Sequence, residues 1–529
     1  MKKVLVLLLA LLMVVGMAAC GNGTDSGNTT TPTSSGPGGA SPPPSSGTST
    51  APSSDPGKFV EITIAYESIP NGLCSVAEDI ISNISLSNDI YDRLIWVDAD
   101  MNWSPRIASA WRQIDALTWE FDINLDYKFS NGDQLTMEDI VYSIERLGSI
   151  PKGVEVANFV DSVSYSGNVL TIKTAMANNT ILPRLNGVAI IVNKKHIETG
   201  GDDAQYLNPI GTAPYKVVEF IPGTKVVIET WDGYPFEQPQ INRMTLIAIP
   251  ENANRYIAVE TGQIQFASLV TGLEAGLARD NPNISLLERW GLSIVCLVFN
   301  TERAPFDNTN IRRAITHTID RESITMLDGG RLPITTIMFP GYEEWEVDHP
   351  NFPQYDINKA KELLAAEGYD ASNPLKLELT YFRPDPGIEV LQSTLRQAGV
   401  EVTLNQVEFS VYLTLEGGGE FDVLWTTQTN RAGSYLMDLD RMDGALHGIR
   451  NISRYLNPRM QVIVDTMRAS ADNAELHRLN NEMQEILATE VPMPGIMRMP
   501  FYSAMAKGLE GVVLRGDRQQ IFRFATFNP

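Results

Sequence analysis

The sequence predicts an α/β protein of two lobes with a mixed α+β first lobe, and three features carry that prediction. From Gly291 onward short apolar strands alternate with amphipathic helices, the order that builds a largely parallel sheet. Before Gly291 the strands alternate apolar and polar residues and end in turn signals, as half-buried antiparallel strands do. No flexible linker separates the two halves, so they should meet at a cleft that a hinge can close on a ligand.

The chain opens MKKVLVLLLALLMVVGMAACGNG. Lys2 and Lys3 give a positive start, and sixteen apolar or glycine residues follow from Val4 to Ala19. That run falls short of the ~20 residues a membrane-spanning helix needs. Ala18 and Ala19 place small residues where a signal peptide is cut. The order Met17-Ala18-Ala19-Cys20 resembles a bacterial lipobox, whose cysteine is acylated and becomes the first residue. The plainer alternative is an ordinary signal peptide, or an uncleaved anchor, with an incidental cysteine. Gly21 to Gly57 are 37 residues without one aromatic or branched aliphatic side chain. Such a stretch buries too little apolar surface to offset its ordering entropy, which predicts a disordered tether. Residues 1–19 are therefore read as a lipoprotein signal peptide and 20–57 as lipidated Cys20 plus tether.

Phe59 to Tyr66 is apolar at alternate positions and reads as a strand. Ile90, Tyr91, Leu94 and Ile95 recur at helical spacing, predicting a helix within Ser87 to Trp96. Trp119 to Leu125 should be a half-buried antiparallel strand, followed by the turn signal Ser130-Asn-Gly-Asp133. Thr136-Met-Glu-Asp139 opens a helix with the hydroxyl and acid of a capping box, and Ile140, Ile144 and Leu147 form its buried stripe. Val169 to Lys173 and Ala189 to Asn193 are expected strands. Ile294 to Phe299 is apolar throughout, as in a strand covered on both faces. Ile311 to Ile319 is an amphipathic helix, and Asp356 begins another that runs through Leu363, Leu364 and Ala366 to a stop at Gly368. Strands are predicted at Leu375 to Phe382, Val400 to Leu404 and Phe421 to Thr426, with a helix from Ile388 to Ala398. Asn473 to Glu490 is a long amphipathic helix halted by Pro492 and Pro494, and the final forty residues return to strand patterns.

The formal charge of −23, or −25 once Lys2 and Lys3 are removed with the leader, argues against nucleic acid and against a polybasic membrane patch. A composition of 43% hydrophobic and 20% charged residues suits one large multi-lobed domain or two lobes. Beyond Cys20 only Cys74 and Cys296 remain. A disulfide is open to them outside the cell, but a cysteine inside an apolar run is more often a separate buried thiol. Motifs for serine hydrolases, zinc proteases and P-loop enzymes are missing. No histidine among the five lies within four residues of another or of a cysteine, so the spacing proposes no zinc site. The acidic runs from Asp98 and from Asp438 fail the oxygen spacing of a calcium loop and read as solvated turn carboxylates. A glycosidase pair of carboxylates has no support in the spacing.

A series of short stretches then carries a family likeness. Asn88 to Ile95 (NDIYDRLI), Pro105 to Trp111, Leu117 to Phe121, Phe129 to Asp133 and Asp139 to Leu147 are followed by Asn208 to Tyr215 (NPIGTAPY). Val298 to Thr301 with Pro305 to Asp307, Ile311 to Ile315 with Ile319 to Glu322, Ala360 to Tyr369 and Ala398 to Val400 complete it. In this order the chain resembles the family 5 extracellular solute-binding proteins, the receptors of dipeptide, oligopeptide and nickel ABC importers, from Phe59 to about Phe501. The resemblance implies a two-lobed periplasmic-binding-protein fold with a hinge. Lobe I would span 58–292 with an inserted subdomain at about 81–195, and lobe II 293–498. Residues 499–529 would return to lobe I, with hinge crossings near Gly291 to Phe299 and Pro494 to Phe501. Gly211, Pro214, Arg106, Trp111, Asp320 and Arg321 are structural in such a fold.

The implied function is capture of a peptide or peptide-like solute and its delivery to permease subunits driven by a cytoplasmic ATPase. No catalysis and no cofactor are implied, and a monomer suffices. The location would be the outer face of the cell membrane, lipid-anchored, at the surface of a monoderm or in the periplasm of a diderm. A receptor for an oligosaccharide, an opine-like compound or a nickel complex is the alternative, followed by a sensor partner or a secreted hydrolase. Peptide-binding relatives hold the ligand amine with an aspartate three residues after a strand tryptophan. Here the tryptophan is Trp425 and Gln428 takes the aspartate's place, a neutral amide that binds an ammonium less strongly. Arg383, in Tyr381-Phe-Arg-Pro384, matches the arginine that meets the ligand carboxylate, against a solvated surface arginine as the plain alternative. Trp425, Thr426, Thr427 and Gln428 would face Asn71, Cys74 and Ser75 of the first lobe. The expected ligand has an acidic group and no obligatory free amine. His447 stands roughly where nickel-binding relatives carry a histidine, but no cluster supports it, so no metal site is expected.

Overall fold

The computed structural model describes residues 59–529 apart from 75–79, 100–101, 151–152, 328–329, 337, 339–344, 346, 431–433 and 471. Cys20, the predicted tether and Ser75 lie outside the described residues.

One eleven-stranded sheet organises the chain. In the first half, Glu61–Tyr66 lies between Arg243–Ala248 and Phe266–Val270, parallel to both, and Lys225–Thr230 and Tyr215–Ile221 extend the edge as an antiparallel hairpin. In the second half Lys376–Tyr381 is parallel to Glu401–Gln406 on one side and to Val423–Thr429 on the other. That is the strand–helix–strand arrangement expected from the sequence. Two long antiparallel strands, Ile284–Phe299 and Gly495–Ala506, join the halves. Their pairing slips in the middle: Trp290 faces Pro500, but Ile294 faces Arg498. A bulge of this kind bends and loosens a ladder. At its start stands Gly291, where a Cβ would lie 2.3 Å from the Phe501 ring, so any side chain there forces that ring to shift.

The apolar run 294–299 is covered on both faces, as predicted. Ile294, Cys296 and Val298 join one core cluster with Leu424 and Met467, whereas Val295, Leu297 and Phe299 join another with Leu391 and Trp425. Cys296 and Cys74 are buried in different cores and form no disulfide with each other, and burial pushes the Cys296 thiol up to about 12. Within 81–195 a separate four-stranded antiparallel sheet runs in the order Ala108–Asp115, Thr118–Ile123, Val169–Thr174, Val160–Ser166. The capping box at Thr136 forms as read: Asp139 N–H donates to Thr136 Oγ1 at 3.2 Å and Thr136 N–H to Asp139 Oδ2 at 3.0 Å. Asp320 caps its helix by accepting from Ser323 N–H at 3.0 Å, and Gly211 sits where a Cβ would strike the Ile90 carbonyl.

Three expectations need correction. Asp438, Asp440 and Asp443, read as solvated turn carboxylates, are each 1% exposed, because Arg441, Arg184 and Arg468 pair with them inside the protein. The helix near Ser87 to Trp96 is Ile81–Ile90, after which the chain extends and Ile95–Val97 pairs as a strand with Trp103–Pro105. Ile90, Tyr91, Leu94 and Ile95 are all buried because the segment threads the core, so burial alone produced the helical spacing. Ala189 to Asn193 is an irregular connection between helices Ile181–Val188 and Lys194–Leu207. Its apolar side chains are buried, but it joins no sheet.

Candidate functional site

Parallel strands end where their carboxyl termini point, and two such ends face each other here. Glu67 directly follows Glu61–Tyr66 of the first half, and Arg383 follows Lys376–Tyr381 of the second. Arg383 Nη2 donates to Glu67 Oε2 at 2.6 Å, with both side chains about half exposed. The guanidinium predicted to meet a ligand carboxylate thus meets a protein carboxylate from the other half. An ion pair this exposed contributes at most about 1 kcal/mol. It is cheap to part.

Val423–Thr429 pairs antiparallel with Ser293–Phe299, placing Gln428 opposite Ile294 and Trp425 opposite Leu297. Trp425 is 5% exposed and packs under the helices, with Ile324 among its core neighbours and Gly387 so close that a Cβ there would lie 3.0 Å from the indole. Thr426 is buried, while Thr427 and Gln428 are half-buried at the strand's end. On the first-half side Asn71 is exposed beside the Gly223 turn, and Cys74 is in the core with Leu73 and Tyr91. The structure therefore groups Thr427 and Gln428 at the strand end and places Trp425 and Cys74 inside the two cores.

A neighbour of Gln428 went unread in the sequence. Thr429 Oγ1 lies 2.7 Å from Ser293 Oγ and accepts from Arg518 Nη2 at 3.3 Å. Arg518 comes from the C-terminal segment, with left-handed backbone (φ 72°) and its guanidinium over the Phe501 ring at 5.8 Å. Nothing local marks it, because its partner is 89 residues away. The nearest sequence signal is the Arg-Gly-Asp-Arg turn at 515–518.

Residues 102–445 match the family described as bacterial extracellular solute-binding proteins, family 5, middle. The chain belongs to that family. Among curated relatives, the nickel-binding protein NikA of Staphylococcus aureus is 23% identical over 400 residues, covering 73% of this chain and 78% of the relative. The probable D,D-dipeptide-binding periplasmic protein DdpA of Escherichia coli is 24% identical over 443 residues, covering 80% and 84%. Among solved structures, a dipeptide-binding protein of Pseudoalteromonas in complex with Met-Leu superposes with a TM-score of 0.81 at 18% identity, over 88% of this chain and all of that one. The fold is the two-lobed fold of periplasmic binding proteins.

This solute-binding protein also carries a buried ionic bridge between residues of the predicted inserted subdomain and second lobe. Arg184, on the helix Ile181–Val188, donates to both Asp440 oxygens at 3.0 and 2.6 Å. Asp440 also accepts from Arg468 Nη2 at 2.5 Å, and Arg468 Nη1 bonds Asp443. These side chains are 0–1% exposed, and the Arg184 guanidinium lies 3.8 Å from the Phe159 ring centre. Burial works to raise the Asp440 carboxyl, but Arg184 and Arg468 outweigh it and hold it below the usual carboxylate range. Asn179 adds a backbone bond to the Arg468 carbonyl and a side-chain bond to the Ser470 carbonyl, at 2.9 and 2.8 Å.

His447 Nε2 lies 3.0 Å from Glu302 Oε1. Among the described residues no group of three His, Cys, Asp or Glu side chains could hold a metal ion, and no helix is long and apolar enough to cross a membrane.

Proposed function

We propose that this protein is the substrate-binding receptor of an ABC importer, capturing a peptide or peptide-like solute between lobe I (58–292 with 499–529) and lobe II (293–498). The observation that carries the reading is the Arg383–Glu67 pair, which sets a cation of one lobe against an anion of the other. When a zwitterionic ligand enters, its carboxylate takes Arg383 and its ammonium takes Glu67, each exchange keeping a charge-assisted bond. Glu67 thereby supplies the carboxylate that Gln428 lacks, and a free amine contributes after all. Thr427 and Gln428 offer neutral hydrogen bonds, with Asn71 on the first-lobe side. Because only the closed form lets a ligand touch both walls, binding favours closure.

DdpA and the Met-Leu-bound neighbour are named for dipeptides, which supports this solute class. NikA is named for nickel, but among the described residues no cluster around His447 supports a metal ligand. Catalysis has no part in the mechanism, and a monomer lipidated at Cys20 on the outer membrane face suffices for it. Native mass spectrometry of the purified protein, then thermal shifts with free, N-acetylated and C-amidated dipeptides, tests the reading. Free dipeptides should stabilise most. Equal shifts with the N-acetylated set would remove Glu67 as the amine anchor, and no shift with any peptide would sink the proposed solute class.

A further inference from the structure

We propose that the groove between helices Asn252–Glu260 and Gly272–Asp280 is the seat of a permease segment that is apolar on one face and basic at one end. This rests on the receptor reading above and names the surface through which the receptor would meet its transporter. Both helices follow strands parallel to Glu61–Tyr66, so they start at the sheet edge where Glu67 stands. The groove between them measures about 680 Å3. Its walls include Leu273 at 68% exposure, Leu277 at 52% and Ile257 at 48%. Leu273 and Leu277 are one helical turn apart and so form a single ridge. Large side chains grouped this way on a surface mark a site of interaction with another protein.

The charge pattern selects the partner. Glu260 and Asp280 are the last residues of their helices, and both line the groove. A carboxylate at a helix C-terminus adds to the negative end of the helix dipole, so each is placed against its own helix's preference. Asn281 Nδ2 donates to Glu260 at 3.0 Å and ties the two negative ends together. Among the described residues no lysine or arginine lines the groove, and neighbouring Arg279 is turned to Glu288 at 2.7 Å. An apolar trough ending in concentrated negative potential fits a segment with apolar side chains and a lysine or arginine at one end.

Other occupants fit less well. Residues 21–57 of the same chain contain no aromatic or branched aliphatic side chain and cannot fill an apolar trough. A second copy would bring the same acidic rim against this one.

The test is cross-linking in living cells from Leu273→p-benzoyl-phenylalanine in the full chain, with the product identified by mass spectrometry. A multi-span permease subunit should be captured. In a second chain carrying Glu260→Lys and Asp280→Lys, the yield should fall about tenfold. A product containing only this protein would show a self-interface, and no product would show an unpartnered surface; either overturns the proposal, as would an unchanged yield in the lysine variant. The peptide thermal shift, read on the same variants, separates the two proposals. Peptide binding without a permease cross-link refutes the groove alone, whereas a permease cross-link without peptide binding refutes only the solute class.

Discussion

Replacing Arg184 with methionine should open the receptor. The substitution removes both bonds to Asp440 while keeping an apolar chain over the Phe159 ring. Removing one member of a buried ion pair costs about 3–5 kcal/mol, because the remaining charge is left buried. Asp440 keeps Arg468 at 2.5 Å, so the low end, about 3 kcal/mol, applies. If opening of the proposed receptor parts Arg184 from Asp440 and lets water reach the carboxylate, the cost disappears in the open form. The closing equilibrium therefore shifts by about 3 kcal/mol, or roughly 100-fold, and apparent ligand affinity weakens by the same factor if the wild type rests mostly open. X-ray scattering should show R184M expanded at peptide concentrations that compact the wild type, and calorimetry should show the affinity loss. Asp440→Asn should act in the same direction, and the double variant should lose less than the sum of the two. If R184M bound and compacted like the wild type while D440N merely lowered the melting temperature, the bridge would be a fixed strut present in both states, and its coupling to closure would be refuted.

Further outcomes follow from the same structure. Burial outweighs Arg523 and raises the Asp89 carboxyl to about 7, while its oxygens accept the backbone N–H of Phe522 and Arg523. The folded value lies above the unfolded ~3.9, so the folded state binds the extra proton. That contribution is fully present below about pH 4 and lost as pH rises through about 7. Melting curves of Asp89→Asn and wild type should lie closest at the acid end, where the carboxyl is neutral like the amide, and part as pH rises through about 7 and only the wild type loses this contribution; parallel curves would contradict the assignment. Gly291→Ala should cost about 1–3 kcal/mol by overpacking against Phe501, read as a lower denaturation midpoint that Phe501→Leu partly restores. Cys20→Ala should release the protein from membranes, and retention equal to wild type would mean another anchor.

The fold was legible where a local pattern and its tertiary use agree. Asn473–Glu490 matches its predicted bounds because periodicity, the Asp472 cap and the prolines after it all act within the segment. Ile294 to Phe299 was legible because a strand covered on both faces has no polar position to hide. Segments that pass through the core without repeating structure were misread. At Ala189 to Asn193 apolar residues report burial and nothing about the backbone.

The candidate site was less legible, for a reason that also bears on how the receptor works. Its contacts join residues far apart in sequence: Glu67 with Arg383, Thr429 with Arg518, Arg184 with Asp440. No short window holds both members of any of them. Arg184 drew no reading from the sequence, yet it is fully buried because its partner comes from the far half of the chain. A hinged receptor needs contacts of this kind, since a bond within one lobe is the same open or closed and cannot report a ligand. In the proposed mechanism only bonds between lobes can shift the closing equilibrium, and two of these three differ in kind. Arg383–Glu67 is exposed and weak, and in the proposed mechanism it is exchanged for a ligand's charges. Arg184–Asp440 is buried, and under the proposed hinge it is the arm that would be remade at each closure, while Asp440–Arg468 stays within lobe II. The first can set which solute is chosen, and the second how much of the binding free energy goes into holding the lobes shut.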